Sequence, residues 1–312
     1  MTKLTVVSIS HSIDPDGIGS QAILSRYFRE LNIEPISFLA DYYNFVNVFQ
    51  EALKHNPNVL IITDIGLNRE VIDEIIEPLR NLKARKIWID HHKAPKDLKE
   101  LLIEVLDEFI HDTSICAAEL VQKRFMPNDD ISKKIAQIAH NSDFDIADRL
   151  VDIYYTLIDY HRYSLKDLEK IRGIFIEGNL EDPKIMEEYL DAYRVFEAER
   201  DRIKRELVVI TIAGKTISVA YSNLIPRGKM TKYLAEISNE DINLAIDTTN
   251  FRIGLRSDTT DVAAIATKFG GGGHKNRSGF TFKNALNEDN NLIPEFLDAL
   301  EEAINSILEN KQ

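Results

Sequence analysis

Cysteine is nearly absent from this chain, with Cys116 alone among 312 residues. A single thiol makes no intrachain disulfide and no thiolate cage, which excludes disulfide scaffolds, cysteine-built zinc sites and iron–sulfur clusters. Within Ile115-Cys116-Ala117-Ala118 it reads as a small core residue rather than a nucleophile. Long hydrophobic runs are missing too, none approaching the roughly 20 residues of a membrane span. Met1-Thr2-Lys3-Leu4 leads straight into a strand-like run without a leader pattern, so the expectation is a cytoplasmic protein with no membrane partner. Positive charge is also short: 38 Lys and Arg face 51 Asp and Glu, a net charge of −13. This argues against the broad phosphate-tracking surface that long duplexes require. Glycine is sparse, at 13 residues, yet four stand together at 270–273. The chain shows no internal repeat and no low-complexity tract.

What the chain does have is His and Asp at the ends of apolar runs. His11, Asp14, Asp16 and Gly17 follow Leu4-Thr5-Val6-Val7-Ser8-Ile9, Asp64 follows Asn58-Val59-Leu60-Ile61-Ile62-Thr63, and Asp90-His91-His92 closes Lys86-Ile87-Trp88-Ile89. Open α/β sheets place their chemistry at such strand ends. Carboxylate oxygens together with neutral imidazole nitrogens suit Mn²⁺, Fe²⁺ or Zn²⁺. With one Asp able to bridge, these donors suffice for two metals about 3.5 to 4 Å apart, the spacing that clamps a phosphoryl group and generates hydroxide. A single Asp-x-Asp after a strand is more often a turn or a helix cap. Three such clusters at successive strand ends are hard to obtain from turn chemistry, so a metal-dependent phosphoesterase is the expected chemistry.

These motifs resemble the DHH phosphoesterase superfamily, whose triplet stands here as Asp90-His91-His92. The first motif resembles His11, Asp14, Asp16, Gly17 and Ser20, in the Asp14-Pro15-Asp16-Gly17 form of the RecJ-like branch. The second resembles Asp64 and the fourth Asp143, with Asp145 as a rival. Leu255-Arg256-Ser257, Phe269-Gly270-Gly271-Gly272-Gly273-His274 and Ser278-Gly279-Phe280 resemble the DHH-associated C-terminal domain. The resemblance implies that His11, Asp14 and Asp64 hold one metal and that Asp16, Asp64, His91 and Asp143 hold the second. It also implies that Asp90 orients His91 and that His92 faces the scissile phosphate, which makes His92 and Asp90 the candidate catalytic residues. Arg256, Ser257, Gly271, Gly272, Gly273, His274 and Arg277 are the implied substrate-binding set. The implied cofactor is a pair of Mn²⁺ ions, with Mg²⁺ or Co²⁺ as alternatives.

The expected fold class is α/β. Strands at about 4–10, 33–39, 58–63 and 86–90 alternate with helices at about 19–31, 42–55 and 69–82, the rhythm of a mostly parallel sheet with flanking helices. Further helices are expected at about 114–126, 131–141 and 164–178. Tyr189, Tyr193, Phe196 and Ile203 recur at helical spacing, so the expected layout is a catalytic domain over 1–184, a connector helix over 185–206 and a smaller α+β domain over 207–312. In that last domain, strands are expected at 207–212, 216–221, 242–247 and 251–256, and helices at about 228–239, 260–268 and 292–309. Four glycines in a row are unfavourable in a strand or helix, so 270–273 reads as a loop whose backbone can approach phosphate.

The expected activity is a divalent-metal-dependent phosphodiesterase, an exonuclease that degrades single-stranded DNA or RNA, or short oligonucleotides, to mononucleotides. Two alternatives remain: a small-molecule phosphohydrolase acting on adenosine 3′,5′-bisphosphate or a linear dinucleotide, and a non-catalytic replication or repair scaffold. Candidate protein partners are a second copy of the chain and a replication or repair protein. His55, His111 and His161 lack an acidic constellation and read as surface or supporting residues, with His111 the one nearest the fourth motif. Tyr42, Tyr43, Phe45 and Phe49 read as helix-spaced core rather than as a base-stacking surface, and Trp88 reads as core.

Overall fold

The computed structural model describes residues 4–66, 69 and 71–309, so Met1–Lys3, residue 70 of the third expected helix and 310–312 lie outside the described residues. It forms two compact units, Met1–Ala192 and Tyr193–Gln312. In the first unit strand and helix alternate as β1 (Val6–His11), α1 (Pro15–Glu30), β2 (Ile36–Ala40), α2 (Phe45–Leu53), β3 (Val59–Thr63), α3 (Ile72–Asn81), β4 (Arg85–Asp90), α4 (Lys96–Val105) and β5 (Glu108–His111). Helices α5 (Ala117–Phe125), α6 (Asp130–Asp143), α7 (Arg149–Tyr160) and α8 (Leu165–Glu177) follow, and α9 (Pro183–Arg205) runs from this unit into the next.

The first unit's sheet has the order β2-β1-β3-β4-β5, and every neighbouring pair is parallel. Parallel sheets need cover on both faces, and the side chains divide accordingly. Val7, Ile9, Leu60, Ile62 and Trp88 pack with Phe49, Ile75 and Leu102 on one face. Val6, Ile61, Ile87 and Ile89 pack with Ile18, Ala118 and Ile135 on the other. The chain leaves β1 for β2 on one side and returns to β3 on the other. The crevice beyond the carboxyl ends of β1 and β3 is therefore the topological switch point where such sheets bind ligands.

The first unit departs from the sequence reading at α1, α7, α4 and β5. Helix α1 begins at Pro15 rather than near 19, because Asp14 caps it by accepting from the Gly17 N–H and proline suits the first helical position. Helix α7 was not expected, although Asp148 caps it by accepting from the Leu150 and Val151 N–H groups. Helix α4 and strand β5 were also not expected. β5 is a four-residue, half-buried edge strand, too short to show periodicity.

The second unit contains β6 (Val208–Ile212), β7 (Lys215–Ser222), α10 (Arg227–Ile237), β8 (Ile242–Asp247), β9 (Arg252–Arg256), α11 (Val262–Lys268), β10 (Gly272–His274), β11 (Arg277–Thr281) and α12 (Pro294–Glu309). Its mixed sheet runs β10-β11-β9-β8-β7-β6, with β7 and β8 the parallel pair. Ala213 and Gly214 both take positive φ in the turn joining β6 to β7. Ile253, Leu255 and Phe280 pack with Ile265, Phe296 and Leu300 from α11 and α12, while Ala245 packs with Met230 and Leu234 of α10 on the opposite face. The glycine run departs from its expected form, since Gly272 and Gly273 enter the edge strand β10.

Candidate metal centre

Strand β1 delivers His11 as its last residue, and α1 starts four residues later. A Cβ on Gly17 would lie 2.3 Å from the His11 carbonyl oxygen, so glycine is what lets the first turn of α1 rest on the end of β1. In that turn Asp14 sits 2.7 Å from His11 Nδ1 through Oδ2 and accepts from the Gly17 N–H through Oδ1. Asp16, 1% exposed, accepts from the Ala117 and Ala118 N–H groups at 2.9 and 2.6 Å. Those donors belong to the first turn of α5, where a helix favours negative charge.

Asp64, also 1% exposed, follows β3 in a left-handed conformation with φ 55°, and its N–H donates to the Ile89 carbonyl. Its Oδ2 lies 3.7 Å from His11 Nδ1, and its Oδ1 lies 3.4 Å from His91 Nε2. His91 Nε2 is also 3.4 Å from Asp16 Oδ2 and 3.2 Å from Asp143 Oδ2. Donor atoms therefore gather as His11, Asp14 and Asp64, as Asp16, His91 and Asp143, and as Asp64, His91 and His92, each set close enough to hold one ion. Asp143, the last residue of α6, is the fourth-motif residue in this cluster. Asp145 follows the helix with φ 53° and belongs to none of the three sets.

Electrostatics show why the cluster suits cations. Among the described residues, the ion-pair partners of Asp14, Asp16, Asp64 and Asp143 are imidazoles, not lysine or arginine. Burial and then the charges of Asp64, Asp143 and Asp14 hold the Asp16 carboxyl well above its ordinary pKa. Burial, opposed by His91 and reinforced by Asp14 and Asp64, pushes Asp143 up to about 6. Asp14 goes the other way, to about 2, because His11 and the Gly17 N–H outweigh burial. Burial opposes charge on His11, yet Asp14 and Asp64 raise it well above the usual value. Buried Asp64 Oδ2 and His11 Nε2 have no hydrogen-bond partner. Buried polar atoms without partners, in a mixed oxygen and imidazole donor set, fit a divalent transition metal.

One expected contact is different. Asp90 pairs with His92, Oδ1 to Nδ1 at 2.8 Å, and not with His91. On extended backbone, residues i and i+2 share a side, so Asp90 and His92 lie together while His91 turns to the carboxylates. Burial opposes charge on His92, but the Asp90 hydrogen bond more than offsets it and pushes the pKa up to about 9.

Sequence reasoning missed Tyr42 as a neighbour of this site and gave His111 only as a surface or supporting residue. Tyr42 is not a helix residue. It lies in the turn after β2, with its hydroxyl 3.2 Å from His92 Nε2 and its ring 5.2 Å from that of His11. The signal was Asp41 and Asn44, a turn pair just past a strand adjacent to β1. His111, opposite Asp90 in β5, donates from Nε2 to the His92 carbonyl at 2.8 Å. The discounted His161 bonds Glu188, and His55 packs on Phe38. Cys116 is buried, and burial followed by the Asp16 charge raises its thiol pKa, which suits a passive core residue. Trp88 is core at 1% exposure, and its Nε1–H donates to the Ile65 carbonyl just after Asp64.

In the second unit, cross-strand register aligns His274 with Arg277 and Arg277 with Arg256. Paired residues share a sheet face, so the three form one basic row. His274 and Arg277 are exposed, and the buried Nε of Arg256 has no partner. The glycines serve close approach. A Cβ on Gly271 would meet the Gly279 carbonyl oxygen at 2.3 Å, and Gly273 takes φ 142° with Ser278 Cα 2.6 Å from where its Cβ would be. Gly272 faces open space. Ser257 stands apart from the row: its buried hydroxyl donates to the Asp241 carbonyl and accepts from the Thr259 and Thr260 N–H groups.

Residues 5–142 match the family model described as DHH family, N-terminal domain. This segment is a DHH-family domain. Beyond it, the chain is 26% identical over 310 residues to an uncharacterized protein of Acanthamoeba polyphaga mimivirus, covering 88% of this chain and 67% of that one. It is 24% identical over 322 residues to oligoribonuclease NrnB of Bacillus subtilis (strain 168), covering 89% and 73%. The fold is shared with a crystal structure of exonuclease RecJ bound to manganese, at a TM-score of 0.64 and 15% identity over 97% of this chain and 90% of that one. The matched segment contains all of β1, β3 and β4 and nearly all of α6, the elements that carry the His and Asp cluster.

Proposed function

We propose that this chain is a two-metal phosphodiesterase, an exonuclease that shortens single-stranded nucleic acid or short oligonucleotides to mononucleotides. The observation that carries the reading is Asp64, whose two oxygens face different imidazoles, His11 and His91, in two adjoining donor sets. His11, Asp14 and Asp64 would hold one ion, and Asp16, Asp64, His91 and Asp143 the other. Divalent cations bound there supply hydroxide at neutral pH and offset charge on a phosphoryl group. Mn²⁺ suits the mixed donors, and the similarity in fold to manganese-bound RecJ agrees with that choice. His92, whose Nδ1 is held by Asp90, would turn the edge of its ring toward the phosphoryl oxygens. The similarity to an oligoribonuclease supports a short substrate.

With a net charge of −13 and a short row of Arg256, Arg277 and His274 to meet phosphate, the chain should engage few phosphates. Its salt dependence should be shallow beside that of a protein neutralising about 6–10 phosphates. The same charge favours a second reading, a phosphohydrolase of adenosine 3′,5′-bisphosphate or linear dinucleotides. End-labelled DNA and RNA oligomers of graded length separate the two. Stepwise shortening of linear single strands, with circular strands left intact, supports the exonuclease. Activity confined to bisphosphates or dinucleotides replaces it with the second reading.

A further inference from the structure

His92 is gripped at both ring nitrogens. Asp90 Oδ1 takes Nδ1 at 2.8 Å, and the Tyr42 hydroxyl lies 3.2 Å from Nε2. The tyrosine is itself well fixed. Asp41 Oδ1 accepts from the Tyr43 and Asn44 N–H groups while Asn44 Oδ1 accepts from the Asp41 N–H, a reciprocal turn that sets the backbone on both sides of Tyr42. The Gly66 N–H reaches the hydroxyl at 3.4 Å. A Cβ at Gly66 would lie 3.1 Å from His92 Cβ and 3.2 Å from the Tyr42 hydroxyl, so the two rings converge over a residue that leaves room for both. The Tyr42 and His92 rings meet edge-on at 90°.

We infer that Tyr42 is a positioning residue that acts through His92, clamping the imidazole between its own hydroxyl and Asp90 so that the ring edge is held toward the substrate. A hydroxyl serves either state of the ring: it accepts from Nε2–H or donates to a bare Nε2. Burial raises the pKa of Tyr42, so the group stays a neutral hydroxyl. The clamp matters because misplacing a catalytic group by about 1 Å can cost on the order of a hundredfold in rate. This inference rests on the reading that His92 faces the scissile phosphate.

The test is a double-mutant cycle of Tyr42→Phe and His92→Ala on the full-length protein, with turnover of a short single-stranded oligonucleotide and bound metal both measured. Tyr42→Phe keeps the ring beside His11 and should lower kcat about tenfold, leaving KM and metal content unchanged. In the His92→Ala background it should add nothing. A full Tyr42→Phe effect in that background, a raised KM with kcat intact, or loss of metal would each overturn the inference. Unchanged turnover in His92→Ala would instead remove the reading of His92 itself. Independently of turnover, ¹⁵N NMR of the Mg²⁺-loaded protein should show the His92 Nε2 resonance shifted by Tyr42→Phe and those of His91 unmoved. An unshifted Nε2 overturns the clamp even if no oligonucleotide is cleaved.

Discussion

In the first unit, the ends of β1, β3 and β4 and the last turn of α6 gather four carboxylates, two of them 1% exposed, whose ion-pair partners are imidazoles. In the second unit, the charge of interest is positive, and His274 and Arg277 lie exposed on their sheet. The difference lies in what completes each group. Buried carboxylates that repel one another stay incomplete without a cation, so ligand loss should act on metal, turnover and stability together. Exposed cations are satisfied by water, so losing them should weaken substrate grip alone.

The largest effect expected from this contrast is His91→Ala. Removing even an outer partner of a metal ligand costs about 10–100-fold, so losing an imidazole that faces three carboxylates should cost at least about a hundredfold in turnover, with metal released. Full turnover in that variant, measured with metal content, would break the contrast from the first unit's side. Next comes pH. With Asp143 pushed up to about 6 in the metal-free protein, a proton competes for that oxygen at lower pH. Metal affinity should therefore fall as pH drops, first as the raised imidazoles of His11 and His91 take up protons and further through about 6, by up to about tenfold per pH unit for each proton displaced, as calorimetric titration at several pH values would read. A flat profile would show that Asp143 is not a ligand.

In the second unit, Arg277→Ala or His274→Ala should raise KM for oligonucleotides by about tenfold, the scale of one charge-assisted hydrogen bond, while metal content and melting temperature hold. Loss of metal in either variant would erase the distinction between the units. The smallest effects concern glycine. Gly17→Ala, which puts a Cβ 2.3 Å from the His11 carbonyl, should destabilise by about 1–3 kcal/mol, whereas Gly272→Ala, in open space, should stay within about 0.5 kcal/mol. Denaturant unfolding of the two variants compares them directly.

The parallel sheet and its His and Asp edge were legible because apolar strands ending in acid are a periodic, local signal. The cap at Asp14 and Pro15 was legible too, and reading it would have started α1 at Pro15. Which imidazole Asp90 holds depends on strand alternation carried past the end of β4, whereas the family resemblance had implied the other imidazole, His91. Tyr42 escaped because its role arises from sheet order: β2 lies beside β1, which brings the turn after β2 to His92. Ser257 illustrates the converse, a motif residue whose hydroxyl is spent on three backbone groups. The glycine run ends in a strand because Gly272 and Gly273 pair with Gly279 and Ser278 of β11, a partner that local composition does not reveal.

If Asp64 is shared between two metal sites, the number of bound ions reveals it. Mn²⁺ titration of the full-length protein, followed by metal analysis after desalting, should give two ions per chain, and Asp64→Asn should retain neither tightly while keeping the circular-dichroism spectrum of the wild type. One ion per wild-type chain, or two ions still held by Asp64→Asn, would contradict it.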